Sequence, residues 1–481
     1  MTQTSVLIPI LLALMLTRWN WILVMLPTCA ILQSAAVLQI GSFGLNPGYF
    51  LGLLILGRTI VEVAFQTRTL NRYVLSSMIP LFFFFLAALI SLWIALVFFQ
   101  GRINVIGGTD AFVIERASPY QFRRENITQM AYLLMDIGIV YAIAHQVARF
   151  EWDQVEELLD HAFVLCLLMA GGLCLWQYVS SFTGIPWPDN FFHSNSSYAA
   201  AGNQRLFGEL KVNGPFAEPS AVAYYFAGLL FFAWFRFCER FTTLSACLVA
   251  LAVVVLFLSK STSAFLVIGV FGLLVGKAAL GLLVRSKIPR LRLRWGGIAA
   301  VLALLACVVA GCIFLINNQN FISELFTKMV LEKSESSSYE QRSAVNEMAL
   351  EILIQTKGVG IGLGSHKPSS LVMTLLSNVG IVGTLVLCAF FAYLAFPRSR
   401  VPDERDSKAL KLITPHRWFL LGLLMIHSFS APNLSAAILF VSCGFLCGAI
   451  AVNRAMRERS ALRRTQMNWA PEIHDAAASY T

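Results

Sequence analysis

Charge is what this chain has least of. Only 13% of its 481 residues are Asp, Glu, Lys or Arg, where a soluble domain carries roughly a quarter. That shortage excludes an ordinary water-soluble globular protein of this length. Cysteine is missing from every long polar connection. Cys29, Cys166, Cys174, Cys238, Cys247, Cys307, Cys312, Cys388, Cys443 and Cys447 all lie in apolar runs or beside them, which excludes a disulfide framework and a zinc site. Cys443 and Cys447 share a helix face without a His or carboxylate partner and read as core packing. There is no internal repeat, and no low-complexity stretch beyond the serines of Ser334–Ser338. No cleavable leader is expected, because the first apolar run feeds straight into a second.

Apolar length is what the chain has in excess. It is 57% hydrophobic with mean hydropathy +0.70, and many windows reach the roughly 20 residues that cross a bilayer. Apolar segments run at 5–17, 21–40, 47–64, 74–99, 127–147, 162–179, 219–235, 242–259, 263–284, 296–316, 371–396, 418–430 and 436–452. The expected fold is therefore all-α, a polytopic transmembrane helix bundle of about 12–13 spans. Only Arg18-Trp19-Asn20 separates the first two runs, which form either a tight hairpin or one broken helix.

The net charge of +10 does not signal nucleic acid, since the bases crowd short connections. Arg285, Lys287, Arg290, Arg292 and Arg294 share one; Arg398, Arg400, Arg405, Lys408, Lys411 and Arg417 share another. Arg454, Arg457, Arg459, Arg463 and Arg464 sit in the C-terminal tail. The positive-inside rule puts all three in the cytoplasm. The acidic connection 148–160 fits poorly, but acidic residues weigh little in that rule. Alternation leaves 100–126, 180–218 and 317–370 outside. The chain then divides into N-terminal membrane helices (1–179), an external loop (180–218), central membrane helices (219–316), a second large external loop (317–370), C-terminal membrane helices (371–452) and a tail (453–481).

The external loops hold the residues that carry chemistry. Lys211-Val-Asn-Gly-Pro-Phe-Ala-Glu218-Pro219-Ser220 leads into an apolar helix, with Pro219 suited to its first position and Glu218 at its N-terminus, where the dipole favours a negative charge. Glu218 is either a simple capping carboxylate or a reactive group. In the second loop, Val345, Met348, Ala349, Ile352 and Leu353 recur at helical spacing, which predicts an amphipathic helix on the membrane surface with Arg342 near its apolar edge. Gly358-Val-Gly360-Ile-Gly362-Leu-Gly364 follows. It lacks the strand and acidic residue of a dinucleotide site; it is either a flexible loop or a backbone that approaches a ligand closely beside His366 and Lys367. Lys260, between two spans, either snorkels to the interface or belongs to a site. Together Arg205, Lys211, Lys260, Arg342 and Lys367 surround Glu218 and His366 with cations, a set that suits phosphate oxygens. Within the spans, Arg58 and Glu62 are spaced to pair, and Asp136 and His427 read as residues of the bundle interior.

These residues resemble a family. Gly214-Pro-Phe-Ala-Glu218-Pro219-Ser220-Ala is similar to the loop-to-helix signature of Wzy-like exopolysaccharide and O-antigen polymerases, whose superfamily includes the O-antigen ligases. Arg342, the amphipathic stretch, the glycine run through Ser365, Ser369-Ser370 and Leu375-Leu-Ser-Asn378-Val-Gly380-Ile-Val-Gly383 resemble its second external region. The resemblance implies a GT-C-like bundle in the bacterial inner membrane, with large periplasmic loops. It implies a glycosyltransferase that moves glycan from an undecaprenyl-diphosphate donor to a lipid-linked acceptor hydroxyl, without nucleotide sugar, metal or other cofactor. No Asp-x-Asp cluster stands on an external loop. Glu218 and His366 are the implied catalytic residues; Arg205, Lys211, Lys260, Arg342, Lys367 and Ser220 would bind diphosphate and glycan. The resemblance leads one to expect Arg where Lys260 and Lys367 stand here, and Arg is common in the family where Lys211 stands. A flippase and a chain-length regulator are the implied partners. Ligation to lipid A core is the alternative within the class, and a polysaccharide flippase or other transporter the alternative outside it. Of the two candidate bases, the helix dipole and nearby cations favour Glu218's ionised form and weaken it, whereas His366 titrates in the right range. Glu218 has the stronger motif and is the expected base.

Overall fold

Inside a bilayer each backbone N–H and C=O must find its partner within its own segment, so apolar runs become helices. The computed structural model describes residues 2–41, 43–65, 70–107, 117–196, 204–206, 208–284, 327, 337–396, 413–430 and 434–478. It is 77% helical with almost no sheet. Seven described helices are long and apolar enough to cross a membrane: α3 (Pro47–Ala64), α4 (Arg72–Phe98), α5 (Arg124–Val147), α6 (Trp152–Thr183), α8 (Pro219–Arg240), α12 (Leu371–Ala395) and the Ala437–Leu462 part of α14 (Ala437–Ala478). Four shorter stretches are also apolar: α1 (Leu7–Thr17), α2 (Trp19–Ile31), α9 (Thr243–Ser259) and the Thr262–Lys277 part of α10 (Thr262–Val284). The remaining described helices are α7 (Asp189–Phe192), α11 (Ser337–Gln355) and α13 (Thr414–Ser430). An all-α bundle is what the sequence leads one to expect. The 296–316 run, the basic stretches 285–294 and 398–411, and Ser334–Ser336 lie outside the described residues.

At the N-terminus α1 and α2 form a hairpin. Arg18 leaves the helical region (φ −142°, ψ 65°). The Thr2 hydroxyl donates to the Ala36 carbonyl, and Ser5 Oγ to Val37 O at 2.7 Å, closing the hairpin ends together. Helix α2 stops at Ile31 rather than continuing to 40, because the chain must turn back toward α3. A small antiparallel hairpin, β1 (Leu38–Ile40) and β2 (Phe43–Leu45), makes that turn. Asn46 then caps α3, its Oδ1 accepting from Tyr49 N at 2.9 Å.

Successive long helices run antiparallel, so the connections collect at two ends. One end holds the sequence-predicted site residues. The other is tied by ion pairs. Arg236 grips Asp160 with two bonds (Nε–Oδ1 2.6 Å, Nη2–Oδ2 3.0 Å), and Arg240 reaches Asp160 at 2.8 Å and Glu156 at 3.0 Å. Arg58 and Arg149 both bond Glu62, at 2.9 and 3.0 Å. Two of the five carboxylates in the acidic connection 148–160, Glu156 and Asp160, thus answer arginines at the foot of α8. Arg417, counted with a basic loop, is instead buried in α13.

Helix α11 buries the stripe its spacing foretold, through Val345, Ala349 and Ile352. Its partners are protein, however. Ile352 and Met348 pack against Ala95, Ile103, Tyr120 and Ile361, and two-residue strands β3 (Asn104–Val105) and β4 (Ser118–Pro119) bring that patch beneath the helix. The buried part of the stripe is thus covered by α4, by Ile103, Val105 and Tyr120 of the 99–120 connection and by Ile361, while Leu350 and Ile354 stay exposed on the helix.

Candidate functional site

Glu218 stands at the N-cap of α8 with extended backbone (φ −154°, ψ 160°), and Pro219 fills the first helical position. Its carboxylate makes no side-chain cap to the helix backbone. It accepts instead from the Ser220 hydroxyl and is partly exposed. Helix α8 lies antiparallel to α9, so its start is beside the end of α9, where Lys260 sits in a left-handed conformation (φ 46°). Lys260 is 6% exposed and its ammonium donates to Glu209, so this cation already has an anionic neighbour. Glu209 belongs to a small hairpin, β5 (Arg205–Leu206) and β6 (Glu209–Leu210). Arg205 is exposed on it and donates to Gly208 O at 2.8 Å. The Lys211 backbone continues the hairpin by bonding Gln204 O at 2.8 Å, and Val212 N reaches Leu258 O at 3.2 Å. Glu218, Ser220, Arg205, Lys211 and Lys260 thus belong to one loop assembly capping α8 and α9.

His366, Lys367 and Arg342 belong to a second assembly at the same end. The glycine run that leads into His366 and Lys367 packs closely against neighbouring backbone. Gly358, Gly360, Gly362 and Gly364 all have φ between 83° and 85°. Their backbone threads between helices: a Cβ on Gly360 would lie 2.7 Å from the Asn378 carbonyl carbon, and one on Gly364 would lie 2.6 Å from Glu125 O. Helix α12 breaks at Gly380 (φ 75°, ψ −173°) to receive this run, and Ile381 N donates to Gly358 O at 2.9 Å. Asn378 fastens the loop's end. Its Oδ1 accepts from Ser365 N (3.1 Å) and His366 N (3.0 Å), and its Nδ2 donates to His366 O at 2.8 Å. Asn126 completes the clamp, donating to Leu363 O and Ser365 Oγ at 2.7 Å each.

His366 is 2% exposed and both of its ring nitrogens are spent. Nδ1 accepts from Ile106 N at 3.2 Å, and Nε2 meets Val345 O at 3.2 Å, which fixes the neutral tautomer protonated at Nε2. Here it joins the 99–120 connection to α11, three residues from Arg342. Burial lowers its pKa from 6.5 to about 4; the same cause lowers that of Lys367. The sign for stability follows. Between pH 6.5 and 4 the unfolded chain binds the extra proton and the folded one does not, so stability rises with pH across that window. Moving from pH 7 to pH 5 is expected to cost about 2 kcal/mol through this residue. Thermal unfolding in detergent at the two pH values checks it, with His366→Asn as the variant that should flatten the difference. An equal difference in the variant would assign it to other groups.

A buried polar network beneath Glu218 is absent from the sequence reading. Gln177, on α6, accepts from Asn213 N (2.9 Å) and Gly214 N (2.7 Å) and donates to Asn213 Oδ1 at 2.7 Å. His193 Nε2 lies 2.9 Å from Phe216 O, and its Nδ1 lies 2.8 Å from Asp189 Oδ1. The Asp-x-x-x-His spacing in an aromatic loop was the available signal; no apolar periodicity drew attention to it.

No family model and no curated protein sequence matches the chain. Its chemistry must be read from the site. One partly exposed carboxylate at a helix N-terminus, with lysine and arginine in the adjoining loops, can accept a proton from a hydroxyl while cations hold an anionic group nearby.

Proposed function

We propose that this chain is a polysaccharide polymerase of the bacterial inner membrane, acting at the periplasmic face on undecaprenyl-diphosphate-linked oligosaccharides. The observation that carries the reading is Glu218: a carboxylate at the mouth of a buried helix, bonded to Ser220 and left unspent by the helix backbone. In the proposed step an acceptor sugar hydroxyl attacks the anomeric carbon of the donor glycan. The C–O bond to the diphosphate breaks, the polyprenyl diphosphate leaves with the electron pair, and Glu218 takes the hydroxyl proton. Lys211, Lys260, Arg342 and Lys367 would stabilise the charge that develops on the leaving group, with Arg205 at the rim. The burial of His366 leaves it to shape the glycine loop in this scheme, not to take the proton. Transporters bind substrate at broken helices near the midplane; here the break at Gly380 is filled by the chain's own glycine run, which favours the enzyme.

The test is a deletion strain probed for glycan length. Loss of polymer with single lipid-linked repeats retained is the expected result. Polymer that persists but fails to reach the surface would instead mean ligation to lipid A core or export.

A further inference from the structure

Glu218 is one residue removed from a peptide held with unusual thoroughness. The Phe216 carbonyl accepts from Asn213 Nδ2 at 2.9 Å, and His193 Nε2 lies 2.9 Å from the same oxygen. The Phe216 ring is fully buried and packs on Tyr225 of α8, ring centroids 4.6 Å apart. Gly214 needs a left-handed backbone (φ 53°), and a Cβ there would lie 2.6 Å from Cys174 Sγ. Gln177 holds the amides of Asn213 and Gly214, as described above. On the other side of His193, Asp189 Oδ1 lies 2.8 Å from Nδ1. The His193 side chain is 3% exposed and that of Asp189 60%, so a His193 ring with a proton on each nitrogen links a solvent-facing carboxylate to the buried carbonyl, since both oxygens only accept. Helix α7, which begins at Asp189 and ends just before His193, is itself anchored. Thr4 Oγ1 donates to Phe191 O at 2.6 Å, and the Trp187 and Phe192 rings stack at 4.6 Å.

We infer that Asp189 and His193 are a positioning pair that sets the Glu218 carboxylate through the Phe216 carbonyl. This rests on the reading of Glu218 as the base. Only Ala217 lies between the held peptide and Glu218, so a tilt at Phe216 passes directly to the carboxylate. A misplacement of about 1 Å at a reacting group costs on the order of 10²-fold in rate, which gives such a pair a kinetic purpose. Neither residue touches substrate in this arrangement. Their loss should therefore lower kcat and leave KM unchanged.

The experiment uses the full-length protein in detergent with lipid-linked repeat units as substrate, and reads two quantities. The first is amide hydrogen exchange over residues 212–218, at neutral pH. His193→Ala should speed it about ten-fold, the equivalent of one lost buried hydrogen bond. The second is turnover. His193→Ala should lower kcat by on the order of 10²-fold at constant KM. His193→Gln, whose Nε2 can still donate to Phe216 O, should restore most of both. Asp189→Asn, a change at an exposed side chain, should give the same pattern more weakly and serves if His193→Ala does not fold. Unchanged exchange in His193→Ala overturns the clamp. Faster exchange with kcat intact makes the pair structural only and overturns the positioning role, and a rise in KM would mean contact with substrate instead. Absence of transfer in the unaltered protein would sink the polymerase reading, yet the exchange arm would still decide the clamp.

Discussion

Glu218→Gln is expected to lower polymer formation from lipid-linked repeats by roughly 10²–10⁴-fold, the contribution of a general base, at unchanged protein level. Gln keeps the shape and can still accept from Ser220 through its carbonyl, so the helix start should survive. What it loses is the ability to take the hydroxyl proton. Glu218 is suited to that role by what it does not do. It leaves the α8 backbone uncapped by its side chain and remains partly exposed, accepting from the neighbouring Ser220 hydroxyl. The comparison variant is His366→Ala. Because His366 joins Ile106 to Val345 inside the protein, its loss should lower the amount of folded protein more than the rate per folded molecule. Full activity in Glu218→Gln together with a lost rate in well-folded His366→Ala would reverse the two roles.

The second large effect is on stability, at the opposite end. Asp160→Asn should destabilise the bundle by about 3–5 kcal/mol, the usual cost of removing one partner of a buried pair. Arg236 is 6% exposed and Asp160 8%. The guanidinium makes two bonds to the carboxylate and also donates to the Ser245 hydroxyl. Asn can match only part of that and leaves the buried cation uncompensated. Thermal unfolding in detergent at neutral pH measures the loss. The double variant Asp160→Leu with Arg236→Met should recover much of it, since well-packed apolar replacements of a buried pair are often near neutral. A cost below about 1 kcal/mol in Asp160→Asn would mean that the pair behaves as a solvated surface bridge.

Much of the architecture follows from local patterns. Long apolar runs specify helices wherever lipid or protein must surround them, so α3, α4, α5, α8 and α12 lie close to the runs that announced them, while α6 starts ten residues ahead of its run and takes in most of the acidic connection. The Glu218-Pro219-Ser220 helix start is similarly local, because a proline at the first helical position needs no distant partner. The pairing of Arg58 with Glu62 needed only a spacing of four on one helix.

Tertiary structure decided the rest. Whether the glycine run was a loop or a cradle depended on what lay opposite, and four positive-φ glycines acquire meaning only against Asn378, Glu125 and the break at Gly380. His366 looked like a base in the sequence because imidazole titrates near neutrality; its burial between two backbone groups could not be read from its neighbours. The apolar stripe of α11 was visible, but whether lipid or the 99–120 connection would cover it was not. Asp189, His193, Gln177 and Asn213 come from separate segments and carry no shared period. The sequence by itself determined which stretches are helical and which carboxylate opens α8. Only the packing of distant segments decided which polar groups are spent on holding the chain and which remain available for chemistry, because hydrogen-bond partners are chosen by proximity in space.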